Sequence, residues 1–179
     1  MIDAVQRFVL MYDLHLRTAR KETSLPSLAA MAPALIKHVN DKKARLKLAR
    51  EEEGEETSPW LTLKRAKKIT HKGNEYLALL FSIGDPRGAD PAFEHSQTGV
   101  VRIEPKKKGE GKSVTAHGVV SLKVHGNNNY RLILEDVRGL GRSRLRDLLG
   151  KISATSLKSM AWSIPTTLGR KLRLTSFPN

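Results

Sequence analysis

Ser113-Val114-Thr115-Ala116-His117-Gly118-Val119-Val120-Ser121-Leu122-Lys123-Val124-His125 alternates almost without a break. Val114, Ala116, Gly118, Val120, Leu122 and Val124 share one parity, Thr115, His117, Ser121, Lys123 and His125 the other, and Val119 is the exception. Successive side chains of a strand point to opposite faces, so the pattern predicts a strand with one face in a core and the other in water or against a partner.

The flanking sequence extends the sheet. Phe8, Leu10, Tyr12, Leu14 and Leu16 alternate with Arg7, Asp13, His15 and Arg17 and predict a second half-buried strand. Trp60 to Thr70 and Glu75 to Ile83 predict a hairpin around His71-Lys72-Gly73-Asn74, because Gly and Asn tolerate positive φ. Tyr76 to Phe81 is apolar on both parities and reads as a central strand. Gly84 to Gln97 reads as a loop and Gly99 to Glu104 as a short strand. Tyr130 to Val137 fits helical and strand spacing alike, and Leu168 to Phe177 alternates weakly as a final strand.

Two segments have helical periodicity. Leu28, Met31, Leu35 and Val39 recur at spacings of three and four behind a Ser/Thr/Pro-containing start, and the helix is expected to continue through Asp41 to Arg50. Leu145, Leu148, Leu149 and Ile152 line one side of a second helix over Arg142 to Ile152. The expectation is an α+β fold, a mainly antiparallel sheet of about five or six strands with two main helices packed on one face. Residues 1–152 form the single domain, with an acidic linker at 51–59 and a basic loop at 105–112. Residues 153–179 form a basic segment without an acidic residue, read as a final strand or as a region ordered on binding a protein partner.

Charge sets the function classes. Thirty-two Lys and Arg stand against 18 Asp and Glu, a formal +14 over 179 residues. A surplus of this size costs self-repulsion in a compact state, which points to a polyanion, foremost nucleic acid, as partner. The absence of cysteine excludes disulfides, thiolate metal sites and cysteine nucleophiles. No apolar run approaches the roughly 18 to 20 residues that span a bilayer, and the N-terminus lacks signal-peptide organisation; the expectation is a cytoplasmic protein with no membrane partner.

The most specific local feature is Val137-Arg138-Gly139-Leu140-Gly141 running into Arg142-Ser143-Arg144-Leu145-Arg146-Asp147-Leu148-Leu149. Two glycines let the backbone turn tightly, and a helix N-terminus behind them offers N–H groups and a positive dipole end to a phosphate. The stretch resembles the hairpin of the helix-hairpin-helix motif, although Leu145 stands where such motifs carry a small residue. The resemblance implies sequence-independent contact between backbone amides and nucleic-acid phosphates. Candidate contacts are Arg138, Gly139, Gly141, Arg142, Arg144 and Arg146, with Lys106, Lys107, Lys108 and Lys112 of the basic loop, Lys123 of the alternating strand, and Lys64 and Lys67 of the hairpin. Trp60, Tyr130 and Trp162 are the candidate stacking rings.

Catalysis has weaker support. Metal-independent RNA cleavage needs a general acid and base, and His15 and His117 on the polar faces of two strands are the candidates. Walker, H-E-x-x-H and G-x-S-x-G strings are absent, and no cofactor or metal site is expected. The sequence thus reads as a non-catalytic binder of DNA or RNA, undecided between them. The alternatives are a histidine-based ribonuclease and a basic subunit of a larger ribonucleoprotein or defence-type complex.

Overall fold

The structure, a computed structural model, describes residues 7–18, 26–48, 58–126, 128–156, 160–163 and 171–174. Along the chain lie β1 (Arg7–Thr18), α1 (Leu28–Asn40), β2 (Arg45–Lys47), β3 (Trp60–His71), β4 (Asn74–Asp85), β5 (Ala92–Glu94), β6 (Val101–Ile103), β7 (Lys112–Ser121), β8 (Asn129–Glu135), α2 (Arg142–Ser156), β9 (Met160–Ser163) and β10 (Lys171–Leu174). The fold is α+β. Eight strands form one sheet in the order β10-β1-β8-β7-β4-β3-β2, with β9 also paired to β1. Every pairing is antiparallel, and the sheet curls as a half-barrel. The long strands with β2 account for the expected number; β9 and β10, from the C-terminal segment, add two short strands on β1.

Register explains which face is buried. Leu63 lies opposite Phe81 and Phe81 opposite Ala116; Ala66, Leu79, Gly118 and Leu134 form the next row of that face, and Leu77, Val120 and Leu132 the one after. Apart from Gly118, these residues join Leu14, Leu16 and Tyr130 in a single core cluster with Leu28, Met31, Ala32, Leu35 and Val39 of α1 and Leu145, Leu148, Leu149 and Ile152 of α2. Each fully buried leucine is worth about 1.5–3 kcal/mol of transfer free energy, so these two stripes fasten the helices. The Tyr130 hydroxyl, buried, accepts a hydrogen bond from the Leu28 amide at 3.0 Å and ties the start of α1 to β8. Ser27 caps α1 by accepting from Ala30 N at 3.2 Å.

Two sequence expectations need correction, and one reading left open between helix and strand is decided. The first helix ends at Asn40 instead of running to Arg50: the Asp41 amide closes on Lys37 O, Lys42 takes φ 58°, and Leu46 pairs with Leu61 in β2. Sheet pairing outweighs the helical propensity of this lysine-rich stretch. The ambiguous Tyr130 region is a strand, since Tyr130, Leu132 and Leu134 alternate into the core. The expected loop after β4 contains β5, which pairs with β6 in a small separate sheet. The β3–β4 hairpin forms where expected, but its turn is only Lys72 and Gly73, both at positive φ, while His71 and Asn74 belong to the strands. The acidic residues 51–57 lie outside the described residues. Among those described, no helix is long and apolar enough to cross a membrane.

Candidate nucleic-acid interface

At one end of the buried sheet face the core gives way to an open groove of about 990 Å³. Its floor is Pro59, Ile83 and Val114, the last 44% exposed although its parity is that of the core. One wall is the β4 end and the turn beyond it, Asp85, Arg87 and Gly88, with Lys112 opposite Asp85 on β7. The other wall is Arg138, Gly139, Gly141, Arg142, Ser143 and Arg144.

The glycine-rich wall is shaped by backbone chemistry. Leu140 N donates to Val137 O at 3.0 Å, closing a turn in which Gly139 takes φ +93°. That region is sterically closed to most L-residues. Gly141 follows, and its carbonyl accepts from Leu145 N at 3.0 Å, the first hydrogen bond of α2. With glycine there, no side chain caps the helix, and its first turn has no acidic residue but does contain Arg142 and Arg144. Cations at a helix N-terminus are unfavourable by about 0.3–1 kcal/mol each, and an anion in the groove would reverse the sign. The segment preceding the turn is strand β8, giving a strand-turn-helix arrangement.

Among the described residues the groove lining thus holds five cations, Arg87, Lys112, Arg138, Arg142 and Arg144, against one carboxylate, Asp85. Arg87 grips that carboxylate with Nε to Oδ1 at 3.0 Å and Nη2 to Oδ2 at 3.2 Å. Its side-chain hydrogen bonding holds the Asp85 carboxyl below the usual carboxylate range, outweighing the opposing effect of desolvation. Arg144 donates to Gly139 O at 2.7 Å and braces the turn. Behind the helix start, burial first and the charge of Asp136 second push the Tyr12 hydroxyl up, while Arg142 pulls it down. Among the described residues, the side chains of Lys112 and Arg138 form no hydrogen bond or ion pair.

Of the residues expected to bind, Lys112, Arg138, Gly139, Gly141, Arg142 and Arg144 come together here. Arg146 points elsewhere, paired with Asp147 at 3.1 Å. Lys106 is a clasp: its ammonium donates to the Pro86 and Gly88 carbonyls and approaches Asp90 at 3.6 Å, closing the neck of the arm that bears β5 and β6. Lys107 and Lys108 are exposed on that arm, and Lys123 lies beyond the opposite end of β7. Lys64 and Lys67 are exposed on β3, where a β-bulge between Leu63 and Arg65 interrupts the register.

The stacking candidates fare differently. Tyr130 is a core residue, and Trp60 is enclosed by Arg45, 4.6 Å from its ring, and by Gly84 beneath it. The side chain of Trp162 lies outside the described residues. For the histidine pair, register places His15 opposite Asn129, whereas His117 reaches Glu135, six residues further along β8. At about 3.3 Å per residue the two are roughly 20 Å apart and share no reacting atom. His117 instead has Nδ1 3.0 Å from Glu135 Oε2, which also accepts the His117 amide at 2.8 Å.

Sequence reasoning missed Arg87, Asp85 and the apolar floor, which reach the groove only through the β4–β7 register. Compared with protein-family models, curated proteins and solved structures, the chain shows no match.

Proposed function

We propose that this chain is a non-catalytic nucleic-acid-binding protein that holds backbone phosphates in the groove at the start of α2. The observation that carries this reading is the five-to-one excess of cationic over anionic residues among the described residues of the lining, where Arg87 engages the carboxylate of Asp85. The uncapped, arginine-bearing first turn of α2 supports it, since backbone N–H groups and the helix dipole favour an anion there. This reading has both helices on one face of the sheet; what supports it is a void of about 10 Å³ lined by Leu28 and Leu35 of α1, Leu145 and Leu149 of α2, and Phe81 of β4. That packing would fix the α2 N-terminus over the sheet end. The protein is proposed to act in the cytoplasm, with residues 153–179 as the region that meets any protein partner.

Fluorescence-anisotropy titration of the Lys112→Ala/Arg138→Ala variant against labelled oligonucleotides tests the reading. Binding should weaken at least tenfold in that variant and stay within twofold in Arg146→Ala. Equal binding by both variants would remove the groove from the account.

A second reading rests on the His117–Glu135 pair. A carboxylate holding Nδ1 leaves Nε2 directed away from it, the arrangement of an oriented general acid or base. RNA cleavage in EDTA that is lost in His117→Ala would favour it over simple binding.

A further inference from the structure

We infer that the nucleic acid is a single strand, and that it leaves the groove around the end of the sheet and runs along β3 over Arg45, Lys64, Arg65 and Lys67. The inference rests on the groove reading and extends it to a second surface. Pro59 lines the groove, and the next residue, Trp60, begins β3 on the opposite face of the sheet, directly across from Gly84, which precedes Asp85 of the groove wall. The two surfaces therefore meet at the Pro59–Trp60 and Gly84–Asp85 ends of adjacent strands.

Cations flank that junction on both surfaces, Lys112 and Arg87 on the groove side and Arg45 on the other. Arg45 lies over the Trp60 ring at 4.6 Å, and its cross-strand partner is Thr62. Further along β3, Arg65 and Lys67 pair with Leu80 and Ala78, residues on the face opposite the core, and the bulge at Lys64 sets two consecutive exposed cations side by side. β3 contains no acidic residue, and Lys64, Arg65 and Lys67 form no ion pair among the described residues. Of the two carboxylates on β4, Glu75 is taken by Lys68 at 2.6 Å and Asp85 by Arg87 at 3.0 Å. From Trp60 to Lys67 the strand rises about 23 Å, at roughly 3.3 Å per residue.

This path selects the form of the nucleic acid. Duplex DNA, with a persistence length of about 50 nm, cannot turn around the edge of a sheet, whereas a flexible single strand can. The half-exposed Val114 and the Pro59 and Ile83 floor offer an apolar bed for an unpaired base beneath the phosphate-binding wall. Site sizes of about 4 to 16 nucleotides are usual for positively charged single-strand grooves.

The test compares labelled single-stranded oligo(dT) and oligo(U) of about 4 and about 16 nucleotides with a duplex of the longer length, using wild type, Lys112→Ala/Arg138→Ala, and Lys64→Gln/Arg65→Gln/Lys67→Gln. Thermal unfolding confirms each variant's fold, and Lys64→Gln/Lys67→Gln serves if the triple variant unfolds. The expected result is that the β3 variant loses at least tenfold on the long single strand and less than twofold on the short one. The groove variant should lose on both, and the duplex should bind more weakly than the single strand. Equal long-strand binding by the β3 variant, or tighter duplex binding, overturns the inference and leaves the groove reading standing if the groove variant still fails. Long-strand binding that depends on β3 but not on the groove overturns both.

Discussion

Gly139 rests against Ile83: a Cβ built on the glycine falls 3.4 Å from Ile83 Cδ1 and 3.2 Å from Arg144 Nη1. This contact seats the arginine-bearing turn on the end of β4 and so defines the groove's width. Because Gly139 also takes φ +93°, Gly139→Ala should destabilise the protein by about 1–2 kcal/mol and weaken nucleic-acid binding. Urea denaturation and anisotropy titration measure the two effects. Unchanged stability would mean the turn relaxes freely.

Trp60 and Gly84 form a similar pair on the other face, where a Cβ at Gly84 would overlap the indole. Gly84→Ala should therefore expel the ring at a cost of about 1–3 kcal/mol. Trp60→Ala/Gly84→Ala should be more stable than the sum of the single changes predicts. Additive losses in a double-mutant cycle would contradict the stacked arrangement.

Asp85→Asn removes the carboxylate that occupies Arg87. Affinity for a single strand should rise severalfold, and the salt slope should steepen by about 0.7 if Arg87 gains one phosphate contact. The sign of the pH dependence follows from the depressed carboxyl: the Asp85–Arg87 interaction is fully present above the ordinary carboxylate range and is lost as pH falls through the lowered folded value. Binding should then gain from this site only in acid, with no contribution from it between about pH 5 and 8. Titration of the Asp85 carboxyl by NMR, in wild type and Arg87→Ala, checks the direction.

Tyr130→Phe separates stability from binding. It strips the buried Leu28 amide of its 3.0 Å acceptor, and a loss of about 1–3 kcal/mol is expected with oligonucleotide affinity unchanged. A fall in affinity at temperatures where the variant is folded would extend the interface into the core.

Much of the fold is legible in alternation alone. Ala116 to Leu122 and Leu14 to Leu16 declare their buried parity because one sheet face is a core, whereas Tyr76 to Phe81 is apolar on both parities and only the sheet register makes Leu77, Leu79 and Phe81 its buried side. The β3–β4 turn declares itself by Gly73, which accepts positive φ, but not by Lys72, which takes φ 48° in place of the expected Asn74. Arg45 to Lys47 is illegible because three residues have no period, and only the pairing of Leu46 with Leu61 makes them a strand. At the site, the glycines and arginines of 138–144 are visible as one local string. Arg87 and Lys112 meet them through a register that no local pattern encodes. Lys106 shows the converse: its neighbours in sequence suggest a phosphate ligand, yet its ammonium is drawn to carbonyls in the neck of the arm.

The most direct test of the central claim is the salt dependence of binding to a single strand of about 16 nucleotides, for wild type and for Lys112→Ala/Arg138→Ala. At about 0.7 per phosphate contact, six to eight contacts predict a wild-type slope of log K against log salt near −4 to −6, and the variant should be weaker and shallower by about 1.4. A wild-type slope shallower than about −2, or identical slopes for the two proteins, would contradict phosphate capture in the groove.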